Sequence, residues 1–347
     1  MNIANDTPFE VAALPGMGPE GGPVFTVIVK GTFDVRTGAP AMPSAEQLPI
    51  SYGDEPLGER GAMRWEADTA PFKPRADVVV AGSAHAPGGQ PVPYLDVGVR
   101  VGERRAGIRV YGDRVWEKDT RASKPVPFAT LELSAERAFG GVSPSGGFCA
   151  ENPVGKGFVM VDKKQEAKGA PLPNIEAIEQ PLRTWDDHPT PVGLGVYPRS
   201  AQPRVGYLGT YDEPWRKERS PLPPVDFRFD YYNCAYPALQ SDGYLRGDEE
   251  VEMIHLTPGG RLLFRLPAVV LEAHVRRFDR SLPGVAGGVG QEDIAPAGPP
   301  AAAVDLVLDT LLLFPEEGRC ALVWRGHCPV ADLAVPEIET LTLRLRS

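Results

Sequence analysis

The chain is short of the residues that most chemistry requires. Lys and Arg total 36 against 46 Asp and Glu, giving a formal net charge of −10, and the cations nowhere gather into a basic run. Nucleic acid and anionic membranes both need clustered Lys or Arg, so neither is expected as a partner. No uninterrupted apolar run approaches the ~18 residues a membrane-spanning helix needs. The N-terminus, Met1-Asn2-Ile3-Ala4-Asn5-Asp6, has no positively charged segment followed by an apolar one, so no secretory signal is expected. Four cysteines (Cys149, Cys234, Cys320 and Cys328) in such a chain suit a reducing, cytoplasmic setting, with free and mostly buried thiols.

Catalytic signatures are equally scarce. The five histidines, His85, His188, His255, His274 and His327, never fall two to a helical turn, and no Cys-x-x-Cys pair accompanies the adjacent His327 and Cys328. A zinc site is therefore not expected. No Gly-x-Ser-x-Gly elbow is present; Gly82-Ser83-Ala84-His85 reads as a loop leaving a strand rather than as a nucleophile beside its base. Gly155-Lys156-Gly157 is not followed by a helix signal, as a phosphate cradle would require. Asp186-Asp187-His188 precedes a proline and reads as turn chemistry. The acidic pairs Glu249-Glu250 and Glu316-Glu317 lie in turns and read as solvated. No catalytic residue, cofactor or metal is expected.

What the chain does have is glycine and proline, 38 of each in 347 residues. Both disfavour helix interiors, so short strands joined by many turns are expected. With 42% apolar and 24% charged residues there is material for a proper core. Strands are predicted at 24–34, where Phe25, Val27 and Val29 alternate with Thr26, Ile28 and Lys30, and at 77–82. A hairpin is predicted from 94–101 and 106–111, with a further hairpin-like stretch running to Trp116. Further strands are predicted at 251–256, 261–266, 269–277, 304–314, 319–325 and 341–345. Residues 283–303 are low in complexity and read as a mobile loop. The segment between holds few periodic runs but many aromatics, including Trp185, Trp215, Phe227, Phe229, Tyr231, Tyr232 and Tyr236, so packed irregular loops are expected. A helical turn is predicted over 211–219 with Asp212 as its N-cap. The expected fold is all-β: sandwich or barrel-like lobes with long Gly/Pro-rich loops. Its expected parts are an N-terminal lobe (1–135), a loop-rich middle (136–245) and a C-terminal lobe (246–347), which together can form one unit.

Several short motifs follow one another along the chain. They are Lys30-Gly31-Thr32-Phe33, Pro71-Phe72-Lys73-Pro74-Arg75-Ala76-Asp77-Val78, Tyr111-Gly112-Asp113-Arg114-Val115-Trp116 and Glu136-Arg137-Ala138-Phe139-Gly140-Gly141. Then follow Asn152-Pro153-Val154-Gly155-Lys156-Gly157, Leu172-Pro173-Asn174-Ile175-Glu176, Gly209-Thr210-Tyr211-Asp212 with Trp215 and Arg219, Pro224-Val225-Asp226-Phe227, and Leu245-Arg246-Gly247-Asp248-Glu249. Over about 25–270 this series resembles the DUF2169 family encoded with bacterial type VI secretion clusters. Leu194-Gly195-Val196-Tyr197 departs from a Phe-Gly-Pro-like stretch usual there. The resemblance implies a non-catalytic adaptor or chaperone that holds a toxic effector and delivers it to a spike of the VgrG or PAAR type. It carries no catalytic residues. Trp, Tyr and Arg dominate interface energetics, so Arg137, Phe139, Trp215, Arg216 and Tyr232 are the expected partner-binding residues. The alternative from another class is a hydrolase or carbohydrate-active protein on a β-scaffold, for which a deep pocket with convergent carboxylates or histidines would speak.

Overall fold

A computed structural model describes residues 1–117, 121–160, 162–278, 301–333 and 337–346. Its central element is the strand Pro23–Asp34, whose alternation has the physical consequence expected of a period of two. Val27, Val29 and Phe33 face the main core, while Thr26, Lys30 and Thr32 are buried on the opposite face. This strand pairs with Glu10–Met17 on one side and with Arg319–Pro329 on the other, both antiparallel. Arg319–Pro329 returns through Pro315–Gly318 to pair with Val307–Phe314, the hairpin the sequence shows most plainly. Gly318 at the turn takes φ 63°, which suits glycine. Asp77–Val80 completes the six-stranded sheet by a parallel pairing with Val307–Phe314, and Met42–Pro43 adds to Pro23–Asp34.

A second sheet orders its strands Ile175–Ala177, Arg104–Tyr111, Tyr94–Val101, Glu250–Ile254 and Arg261–Arg265. Its inner residues Val97, Val99, Ile108, Val110, Val251, Met253 and Phe264 meet those of the first sheet in a single apolar cluster. That shared core gives a sandwich-like centre. A four-stranded sheet, Asn2–Asn5, Ile338–Leu345, Leu271–Arg277 and Ala302–Val304, joins the same cluster through Leu341, Leu343, Ala273 and Val275. The all-β expectation is met, and no sheet among the described residues closes into a barrel. Strands from both ends of the chain share the six-stranded sheet, so residues of 1–135 and 246–347 lie in one layer.

Several local expectations need correction. The hairpin-like stretch toward Trp116 contains only isolated bridges, Val115 to Pro171 and Trp116 to Ala122; Trp116 instead anchors a second apolar cluster with Phe139, Cys149 and Leu172. The long strand expected at 304–314 is two: Ala302–Val304 belongs to the four-stranded sheet and Val307–Phe314 to the six-stranded one. Of the loop expected at 283–303, residues 283–300 lie outside the described residues, while Ala302–Val304 is a strand. Asn2–Asn5 and Glu10–Met17 are strands that local alternation did not reveal, since tertiary pairing overrides weak propensity. The middle segment is packed, as its aromatics suggest, and the helix Glu213–Glu218 begins at Asp212, whose carboxylate accepts from the Trp215 N–H at 2.9 Å.

Candidate functional site

The outer face of the six-stranded sheet is ionic. Lys30, on the central strand, donates to Asp68 at 2.8 Å. Arg325, on the neighbouring strand, meets Asp309 at 2.5 Å. Asp309 stands where the pairing register slips between Leu308 and Thr310, a bulge of the kind that re-aims a side chain. Lys73 donates to Asp77 at 2.8 Å and to the Thr310 hydroxyl at 2.9 Å. The Asp77 carboxylate also accepts from the backbone N–H groups of Cys234 and Ala235, tying the edge strand to the loop segment that covers it. Arg204 reaches Glu66 with both terminal nitrogens, at 2.7 and 2.5 Å, and Arg199 spans Asp54 and Glu66 at 2.7 and 3.1 Å. Five cations and five anions thus gather beside one sheet face, four of each buried and the Arg199–Asp54 pair partly exposed.

These groups border a cavity of about 410 Å³, walled by Asp54, Glu66, Asp68, Lys73, Arg199 and Arg325 and by the aromatic side chains of Tyr52, Trp65, Tyr231 and Tyr232. Burial pulls Lys73 toward the neutral amine, but the Asp77 carboxylate and its neighbours outweigh it and hold the ammonium protonated, above its ordinary range. Burial likewise opposes the Arg204 charge, and Glu66 more than restores it. Burial pushes the thiol of Cys234, on the cavity wall, up to about 12, so it is not a thiolate at neutral pH. Each charged wall residue has an opposite charge within 2.8 Å.

Beside the cavity the chain leaves the body and returns over 209–226, forming a prong. At its neck the Asp226 carboxylate accepts from both the N–H and the hydroxyl of Thr210, at 2.9 and 2.8 Å, which holds the Asp226 pKa below the usual carboxylate range. Inside the prong the Trp215 indole donates to the Leu222 carbonyl at 2.8 Å, Arg219 donates to the Pro223 carbonyl, and Tyr211 packs edge-on against Trp215. Tyr211, Leu222 and Val225 are left facing solvent at 53, 51 and 85% exposure. At its base Phe227, Phe229, Tyr231 and Tyr232 form a continuous edge-to-face cluster that runs to the cavity mouth.

The motif loops build a third junction. Arg114 forms a buried ion pair with Glu176 and lies over the Tyr111 ring at 3.7 Å. Asn174 donates to the Tyr111 carbonyl and to Asp113, and accepts from Arg137 at 3.3 Å. Gly140 and Gly141 take positive φ so that their backbone can lie against Asn152 and Gly155; a Cβ on Gly141 would stand 2.3 Å from the Gly155 carbonyl oxygen.

Of the five residues expected at a partner surface, the structure brings Trp215 and Arg216 together on the prong and places Tyr232 at the cavity wall beside it. Arg216 is exposed and pairs with Glu213. Arg137 is half-buried and engaged with Asn174. Phe139 is corrected: it is 3% exposed, packed with Phe158 and His188, so it serves a core and not a surface. The other sequence candidates resolve into structure. His85 pairs with Glu316 rather than with Ser83, and Asp187 caps the turn at Arg183 and Thr184. Sequence reasoning missed the ionic cavity. Its only trace was charged residues inside apolar strands, notably Lys30, Asp309 and Arg325.

Fold and site together define an all-β protein with a sandwich-like centre, an ionic cavity on the outer face of its six-stranded sheet and an exposed, charge-rich prong that also carries Tyr211, Leu222 and Val225. The chain belongs to the family described as "Uncharacterized protein conserved in bacteria (DUF2169)", whose model matches residues 20–325. No curated protein and no solved structure matches it. No helix among the described residues is long and apolar enough to cross a membrane.

Proposed function

We propose that this protein is a non-catalytic adaptor or chaperone that binds a type VI secretion effector in the cytoplasm and helps to load it onto the VgrG/PAAR spike. The observation that carries this reading is the prong. Tyr211, Leu222 and Val225 are presented to solvent on a segment locked by its own hydrogen bonds. Rigid apolar groups held in the bound conformation spare the entropy that a loose loop would lose on docking. The resemblance of the motif series to proteins encoded in type VI secretion clusters supports the same role. So does the condition of the thiols: burial pushes Cys149 and Cys328 up to about 11 and Cys320 up to about 12, which leaves them poor nucleophiles at neutral pH.

The test is capture of the effector and spike proteins encoded beside this gene, by tagged wild type and by a Leu222→Asp/Val225→Asp double variant. Wild type is expected to retain the effector, and the double variant to lose it while melting at the wild-type temperature. Effector secretion that survives deletion of the gene, or capture unaffected by the double variant, refutes the reading.

A further inference from the structure

The ionic cavity is not explained by the adaptor role. Burying an ion costs several kcal/mol, and buried pairs are often replaceable by apolar residues at no loss of stability. Four such pairs, with the partly exposed Arg199–Asp54 pair beside them, around one hollow of about 410 Å³ are therefore weak stabilisers and good polar furniture for a ligand of the size such a volume holds. The charge balance selects the ligand class. The wall presents Asp54, Glu66 and Asp68 against Lys73, Arg199 and Arg325, a net charge of zero. Such a wall offers an incoming anion or cation no net charge to neutralise.

A hydroxyl needs none, because it donates and accepts at once. Lys73 has three N–H donors, and two are spent on Asp77 and Thr310. Asp68 has about four lone-pair sites; among the described residues it uses two, both on Oδ2, for Lys30 and the Ser51 N–H. Both side chains keep hydrogen-bonding capacity at the cavity without surrendering their pairs. The aromatic side chains of Tyr52, Trp65, Tyr231 and Tyr232 supply apolar surface to the same space. Hydroxyls on the edges and a C–H face between them describe a sugar ring.

From this we infer that the cavity binds a small, uncharged, polyhydroxylated ligand of the mono- or disaccharide class. The assignment does not depend on the adaptor reading. It is tested by isothermal titration calorimetry on the full chain, with N-acetylglucosamine, maltose and cellobiose at millimolar concentration, and with inorganic phosphate as the charged probe. At least one sugar is expected to bind, and more tightly than phosphate. Tyr52→Ala, at a 67% exposed rim position, is expected to weaken that sugar about tenfold at an unchanged melting temperature. The prong variant Leu222→Asp/Val225→Asp is expected to bind sugar as wild type does, which separates this site from the docking surface. Silence from all three sugars, tighter binding of phosphate, or wild-type affinity in Tyr52→Ala overturns the assignment.

Discussion

Replacing Arg325 by Leu probes how the ionic face is held together. The guanidinium meets Asp309 at 2.5 Å and donates to the carbonyls of Asp68 and Ala70, at 2.9 and 2.5 Å, with 1% of its side chain exposed. Removing one partner of a buried pair costs about 3–5 kcal/mol because the other charge is left uncompensated. Two carbonyls losing a donor add about 1 kcal/mol each. A working value of about 5 kcal/mol follows, a large share of the 5–15 kcal/mol that holds a typical domain. With an m-value of about 3 kcal/mol/M, the urea midpoint should fall by about 1.7 M. The double variant Arg325→Leu/Asp309→Leu leaves no unpaired charge at this position, only the two carbonyls and the Thr310 hydroxyl that donates to Asp309 at 2.8 Å, so its loss should be about 3 kcal/mol and its midpoint shift about 1 M. The assay is urea unfolding of wild type, both single variants and the double, closed as a cycle. A double variant that falls as far as Arg325→Leu refutes the claim that the uncompensated charge dominates.

Two further outcomes follow from the geometry. Gly141→Ala, at φ 90° and with its new Cβ 2.3 Å from the Gly155 oxygen, should cost about 3 kcal/mol or more; Gly146→Ala, at φ 98° but in open space, should cost only the backbone strain of about 1 kcal/mol. Equal losses in thermal melts would show that crowding at the motif loop is not the cause. His327 is held below its ordinary pKa by burial; its hydrogen bond to the Pro71 carbonyl opposes the shift and the Arg325 charge adds to it. The folded state therefore keeps this ring neutral at pH values where the unfolded chain, near pH 6.5, takes up a proton. Its contribution to stability is full above about pH 6.5 and is lost as pH falls below that. His327→Gln should flatten the slope of stability between about pH 6.5 and 5, and a slope equal to wild type contradicts the assignment.

The sequence by itself determined the period-two strands, their turns and the class of fold. Val27, Val29 and Phe33 alternate with Thr26, Lys30 and Thr32, and such a pattern has one stable outcome when a face must be buried. Pro315-Glu316-Glu317-Gly318 and Asp212 announced their turn and cap because those functions act within a few residues. Phe139 marks the limit: an aromatic in a glycine-rich loop looks the same whether it faces a partner or a core, and only its packing against Phe158 and His188 decides. The ionic cavity is wholly a tertiary matter. Lys30, Asp68, Asp309 and Arg325 come from segments up to nearly three hundred residues apart, and the strand pairing of Pro23–Asp34 with Arg319–Pro329 brings them to one face. Burial turns scattered charges into obligatory pairs because water is no longer there to solvate them; no local pattern in the chain encodes which of them will meet.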